Sequence, residues 1–222
     1  MSTLFTLHEQ SDTYVRLQKK IKEVDITVEV STEFRPDLQP HTTIDILDHF
    51  VSTLSWGLGM SLGCSVEVGK WRSTHTIAED LGQTFGAALK HLFYRKMVAE
   101  GINACGSAVF GLDEALARAM VALEGRRNSF ITFAEDCPGG RSEFVEETRS
   151  ADCVAFIEGF AQGFPATIHV DALKGRDPHH VWESNFMALG EALKMAYGTN
   201  PWKIAKNNPY YGEEGVADAS LA

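Results

Sequence analysis

His179-His180-Val181-Trp182-Glu183, followed by an apolar-periodic run to about Ala196, is the stretch on which the reading of this chain turns. On a helix, His179 and Glu183 stand one turn apart on a single face. An imidazole and a carboxylate stacked in this way, with a second imidazole beside them, suit a divalent metal ion. Alone, two histidines ahead of an amphipathic helix are more often a solvated helix start than a ligand set. About one hundred residues earlier, however, His75-Thr76-Ile77-Ala78-Glu79 opens a second such run. Laid side by side without gaps, His75 meets His179, Glu79 meets Glu183, Gly86 meets Gly190, and Ala88-Leu89-Lys90 meets Ala192-Leu193-Lys194. So many matches mark an internal repeat. Its period is too long for a solenoid and predicts a duplicated half-domain with one ligand helix per half.

The surrounding segments fit that plan. Ile26-Thr27-Val28-Glu29-Val30 alternates like a half-buried strand, and the apolar spacing from Thr42 to Leu58 predicts a helix that carries Asp48 and His49. Cys64 to Val68 is a second strand, and the first ligand helix runs from Thr76 to about Val98. In the second half, Phe130 to Phe133 and Ala166 to Val170 read as strands. Between them Ser150 to Gly163 reads as a helix with Ser150 as its N-cap. Each half is therefore strand, helix, strand, ligand helix: an α+β domain of duplicated β-α-β-α units, the helices packed on one face of the sheet. Residues 1–13 are expected to be loosely held. Residues 14–222 make one domain with halves at about 14–125 and 126–198 and an irregular tail, 199–222. Asp113-Glu114-Ala115 is a helical or strand-like start, and Gly125-Arg126-Arg127 a turn whose cations are either solvated or in contact with an anion.

The 222 residues carry a formal charge of −10, which excludes a general nucleic-acid binder; 44% hydrophobic residues suffice for a real core. The four cysteines show no C-x-x-C pair and read as reduced thiols. No signal peptide and no membrane-spanning apolar run is expected, so the chain reads as a cytoplasmic protein that meets no membrane. Of eight histidines, His49, His75, His169, His179 and His180 sit on or beside the repeated elements. With Glu79 and Glu183 they form a nitrogen and oxygen donor set without thiolate. It is too large for one ion, so two divalent ions are expected, with manganese, zinc or iron suiting the donors.

In this order, the motifs resemble those of the imidazoleglycerol-phosphate dehydratase family of histidine biosynthesis. They are Lys22-Glu23-Val24-Asp25-Ile26, Leu47-Asp48-His49-Phe50, His75 to Asp80, Leu112-Asp113-Glu114-Ala115-Leu116, Gly125-Arg126 and, after His169, Gly175-x-Asp177-x-His179-His180-x-x-Glu183-x-x-Phe186. The resemblance implies a metal-dependent hydro-lyase that converts imidazoleglycerol phosphate to imidazole acetol phosphate, with manganese the expected ion. It implies His49, His75, Glu79, His169, His179, His180 and Glu183 as metal ligands, and Glu23 and Asp113 as catalytic carboxylates, Glu23 being the base. Asp48 and Asp80, like Asp113, are acceptors able to orient histidines, and Arg126 and Arg127 are candidates for binding the substrate phosphate. It also implies a homo-oligomer built of trimers, up to a 24-subunit shell, with the site between subunits. The chain departs from the family pattern at Thr76 (a histidine there), Ala104 (an arginine) and Met187 (a lysine). Gly198 to Lys203 replaces a Ser-Thr-Lys-Gly segment. Those departures keep open a relative with a different, less phosphate-dependent substrate, or a non-catalytic metal-binding assembly protein.

Overall fold

A computed structural model describes residues 4–204. The first half contains β1 (Phe5–Gln10), β2 (Tyr14–Lys20), β3 (Val24–Ser31), β4 (Pro40–His41), α1 (Asp45–Leu58), β5 (Ser61–Val68) and α2 (Thr74–Ala99). The second contains β6 (Cys105–Leu112), β7 (Ala115–Ala122), β8 (Asn128–Phe133), the short pair β9 (Phe144–Val145) and β10 (Thr148–Arg149), α3 (Ser150–Gly163), β11 (Thr167–Lys174) and α4 (Pro178–Tyr197). The expected β-α-β-α order is present twice, as β3-α1-β5-α2 and β8-α3-β11-α4, each preceded by a hairpin. The duplication builds two sheets rather than one, ordered β1-β2-β3-β5-β4 and β6-β7-β11-β8.

Each sheet is covered on one face by helices: α2 lies on β2 and β3, and α4 on β6, β7 and β11. The helices also pack across the halves, α2 on α3 and α1 on α4, so both halves share one hydrophobic core. The repeated glycine explains how they come so close. A Cβ on Gly86 would lie 2.3 Å from Phe160 O, and one on Gly190 would lie 2.7 Å from Leu54 O. Each repeat copy therefore keeps a bare backbone where a helix of the other half crosses it.

The structure corrects three expectations and decides one that was left open. Phe5–Gln10 is not loose: it pairs antiparallel with β2, because a sheet edge offers backbone partners to a polar strand. The halves divide near residues 100–104, not 125, because β7 pairs with β11 and brings β6 into the second sheet. Where the sequence left helix or strand open, Ala115–Ala122 is a strand despite its helix-forming alanines. Its small buried residues Ala117 and Ala119 lie under α4, and that tertiary contact overrides propensity. Ser150 is the first residue of α3 and not its cap, and its Oγ is buried without a hydrogen-bond partner. Of the tail, Pro201–Lys203 forms one 3-10 turn and Thr199 bridges to Ile102; residues 205–222 lie outside the described residues.

Candidate metal centre

α4 starts where its sequence says it should. The Asp177 side chain accepts the His179 N–H at 2.8 Å, and Pro178 takes the first turn, where a missing N–H costs nothing. Ser73 caps α2 likewise by accepting the Thr76 N–H. Both His-x-x-x-Glu pairs therefore lie at helix heads, one turn apart, as their spacing requires. His179 Nε2 is 3.6 Å from Glu183 Oε2, and His75 Nε2 is 3.8 Å from Glu79 Oε2.

The α1–α4 crossing adds His49. Its Nε2 lies 3.4 Å from Glu183 Oε2, and its ring centroid is 5.1 Å from that of His179. His49, His179 and Glu183 each bring a ligand atom within 4.8 Å of the others. The floor beneath them is aromatic: Phe50 stacks on Phe186 at 5.1 Å and meets the His179 ring edge-on. Such a floor dries one side of the cluster and leaves the donors open on the other.

Two hairpin tips close on the head of α4. In the β9–β10 turn, Glu146 Oε1 lies 3.0 Å from His179 Nδ1, and Glu147 accepts the Ile46 N–H of α1 at 2.9 Å. In the β6–β7 turn, Glu114 Oε2 lies 2.9 Å from His180 Nδ1, while Oε1 accepts the N–H groups of Arg176 and Asp177. The Asp177 N–H above all, then His180, hold the Glu114 carboxyl down at about 2, and the same carboxylate pushes His180 upward. Glu114 stands in a sequence motif but was given no role there, and Glu146 and Glu147 were not singled out. An acid pair between two alternating strands was the available signal for the first; nothing local marks the other two.

The remaining expected site residues are spread more widely. Asp113 sits beside Glu114, its Oδ2 3.6 Å from His180 Nε2, and the closer Nδ1 contact belongs to Glu114. His75 Nδ1 faces the buried carboxylate of Asp152 at 3.8 Å, apart from the α1–α4 group. His169 lies on the outer face of β11, stacked 4.7 Å from Phe130. Asp48 and Asp80 hold no histidine. Asp48 accepts the Thr42 N–H at the entry to α1, and Asp80 pairs with Lys19 from β2, a buried cation that needs a counter-charge. Glu23 lies in the β2–β3 turn, where its backbone carbonyl accepts the Gly69 N–H; its side chain has no hydrogen-bond partner among the described residues. Arg126 and Arg127 are exposed and without an ion pair among the described residues. They stand at the far end of β7 from the Asp113-Glu114 tip, a strand of 8 residues or about 25 Å. They do not reach the α4 histidines of their own chain.

The sequence profile described as imidazoleglycerol-phosphate dehydratase matches residues 42–193, which include His49, both ligand helices and the β6–β7 tip. The chain belongs to the imidazoleglycerol-phosphate dehydratase family. The enzyme of that name from Saccharomyces cerevisiae is 32% identical over 179 residues, covering 81% of this chain and 77% of its own. That from Streptococcus sanguinis is 29% identical over 190 residues, covering 83% and 91%. Among solved structures, the Pyrococcus furiosus dehydratase, crystallised as a complex, superposes with a TM-score of 0.68 at 27% identity, covering 82% of this chain and 94% of that one. The Staphylococcus aureus dehydratase shares the fold with a TM-score of 0.66 at 21% identity.

Set against the dehydratase pattern, each departure has a structural occupation. The Thr76 hydroxyl bonds to Ser73 within the α2 cap. Ala104 is buried at a left-handed backbone position (φ 58°) and exchanges backbone hydrogen bonds with Ala196 and Leu123. Met187 packs against α1 at Gly57, and the Lys203 ammonium is tied to the Asn103 carbonyl at 2.6 Å.

Proposed function

We propose that the chain is a metal-dependent hydro-lyase that dehydrates imidazoleglycerol phosphate, with His49, His179 and Glu183 as the nucleus of its centre. Family membership carries the reaction class. One observation carries the metal: His49 Nε2 is buried and makes no hydrogen bond among the described residues, yet faces the His179 imidazole and the Glu183 carboxylate. A buried ring nitrogen without a partner is costly unless something binds its lone pair, and two imidazoles with one carboxylate suit a borderline divalent ion. Manganese is the ion we assign, at about two per complete site. The second set of donors would be His75 and Glu79, completed by His169 and His180 from neighbouring copies of the chain. The exposed placement of His75 and the outward face of His169 support that assembly. A divalent ion bound there supplies Lewis acidity toward an azole nitrogen.

The chain's own groups then divide the work. His49, His179 and Glu183 hold the ion and fix the azole's position. Glu23, with no competing hydrogen bond, takes the carbon-bound proton. Arg126 and Arg127, too distant from their own chain's centre, serve a neighbouring subunit's substrate. The four free cysteines support a reducing, cytoplasmic setting. A second reading, a less anionic azole as substrate, is favoured by Ala104 and Met187, which leave no cation at those positions, and by Thr76, which leaves one ligand histidine fewer. Turnover of imidazoleglycerol phosphate with added manganese decides between them. Release of imidazole acetol phosphate is expected; manganese bound without turnover favours the second reading, and a chain that binds no divalent metal ends both.

A further inference from the structure

We propose that the two acidic hairpin tips, Asp113-Glu114 and Glu146-Glu147, are positioning devices that hold His180 and His179 in one tautomer, with Nδ1–H donated to the tip and Nε2 left bare. The inference rests on the reading of α4 as a metal-donor helix, but the ring tautomer can be read without any metal.

The contacts set the polarity. Glu146 meets Nδ1 of His179 at 3.0 Å and Glu114 meets Nδ1 of His180 at 2.9 Å. An ionised carboxylate only accepts, so each Nδ1 must carry a proton, and on the neutral ring each Nε2 then holds the lone pair. On the other side of the rings, His179 Nε2 and His180 Nε2 stand 3.6 Å from Glu183 and Asp113, beyond hydrogen-bond length. His75 shows the same polarity toward Asp152, but at 3.8 Å it is too long to be a hydrogen bond. The inference is therefore confined to α4.

The tips are built at a conformational cost. Asp113 (φ 49°) and Glu146 (φ 47°) both occupy the left-handed region, where a two-residue hairpin turn prefers glycine, asparagine or aspartate, so the cost falls on Glu146. An acid at each turn is explained by what the tip holds: Glu114, next to Asp113, faces His180, and Glu146 itself faces His179. Each tip is also braced on a helix start. Glu114 accepts two N–H groups at the entry to α4. Glu147 accepts the Ile46 N–H of α1, a helix whose own N-cap residue, Ile44, offers no side-chain acceptor. The β9–β10 tip thus clamps α1 and α4 together and keeps His49 opposite His179.

The test uses the full-length, metal-free chain with 15N-labelled histidine, at alkaline pH where the rings are neutral. Long-range 1H–15N spectra are expected to show His179 and His180 as Nδ1–H rings. Glu146→Ala should release His179 alone and Glu114→Ala His180 alone. In manganese titrations of the same proteins, each alanine variant should bind about 10- to 100-fold more weakly. Glu146→Gln and Glu114→Gln keep an acceptor oxygen, so they should retain the Nδ1–H ring and lose less affinity. They carry the test if an alanine variant fails to fold by circular dichroism. A wild-type His179 or His180 in the Nε2–H form overturns the proposal, as does an alanine variant that is folded with its ring state unchanged. A wild type that binds no manganese overturns the metal reading instead, and the ring spectra still decide the positioning.

Discussion

Gly86→Ala tests the packing that brings the two halves together. The added Cβ would stand 2.3 Å from Phe160 O and 2.7 Å from Phe164 N, where ordinary contact begins at 3.4 Å. Both obstructing atoms are backbone, so no side chain can swing aside. Facing it, Gly163 is equally tight, its Cβ position 2.0 Å from Gln83 O, so α2 and α3 must part along their whole crossing. Removing a glycine from a helix interior contributes about 1 kcal/mol of stability. Overpacking costs about 1–3 kcal/mol, and a backbone clash on both sides belongs at or above the top of that range. The net expectation is a loss of about 2 kcal/mol, or a melting temperature lower by roughly 4–8 °C for a chain of this size. Gly190→Ala, with its nearest atoms at 2.7 and 2.8 Å, should be milder. Urea unfolding followed by circular dichroism measures both, and an unchanged m-value identifies a stability effect. A Gly86→Ala protein as stable as wild type, or less harmed than Gly190→Ala, would refute the account of why both repeat copies keep glycine there.

Three further outcomes follow from the same structure. Of the four free thiols only Cys105 is exposed, while burial pushes Cys64 up to about 12 and raises Cys137 and Cys153. At about pH 8 the folded chain should show one fast-reacting thiol, lost in Cys105→Ser; two or more fast thiols would contradict the burial. Glu114 is held at about 2 against an ordinary 4.5. Its contribution is complete above the higher value and disappears as the pH falls toward the lower. Stability of Glu114→Gln should therefore change less steeply than wild type across that window, and parallel acid-unfolding curves would sink the assignment. Lys19 and Asp80 form a pair whose side chains are only 6% and 11% exposed. Lys19→Met, which strands a buried carboxylate, should cost about 3–5 kcal/mol in urea unfolding. Adding Asp80→Leu should recover much of that; additive losses would show that the pair is not coupled.

The two His–Glu spacings were legible because they are local. His75 with Glu79, and His179 with Glu183, are one helical turn apart on any helix, and Asp177-Pro178 and Ser73 announce where those helices begin. The partners of the expected orienting carboxylates were not legible, for the opposite reason. Asp48 and Asp80 have the right chemistry to hold a histidine, but which group an acid meets is set by chain crossings far away in sequence. Asp80 faces Lys19 from β2, and the histidine partners are Glu114 and Glu146. Glu114 was within reach of inference, being half of an acid pair, but its stretch was left open as a helical or strand-like start and the residue was given no role. Arg126 and Arg127 were grouped with the site by family pattern, and the strand register carried them to its opposite end.

What the amino-acid order decided unaided is the duplication, its four helices and the pairing of one imidazole with one acid at each helix head. Periodicity and capping act over a few residues, so they survive without a partner. What needed the tertiary structure is which helix crosses which, and therefore that His49 joins the second copy's pair while His75 faces Asp152. Two glycine-lined crossings and two hairpin tips make that choice. Such contacts join residues as far apart in sequence as Leu54 and Gly190, a separation over which no local preference of the chain carries information.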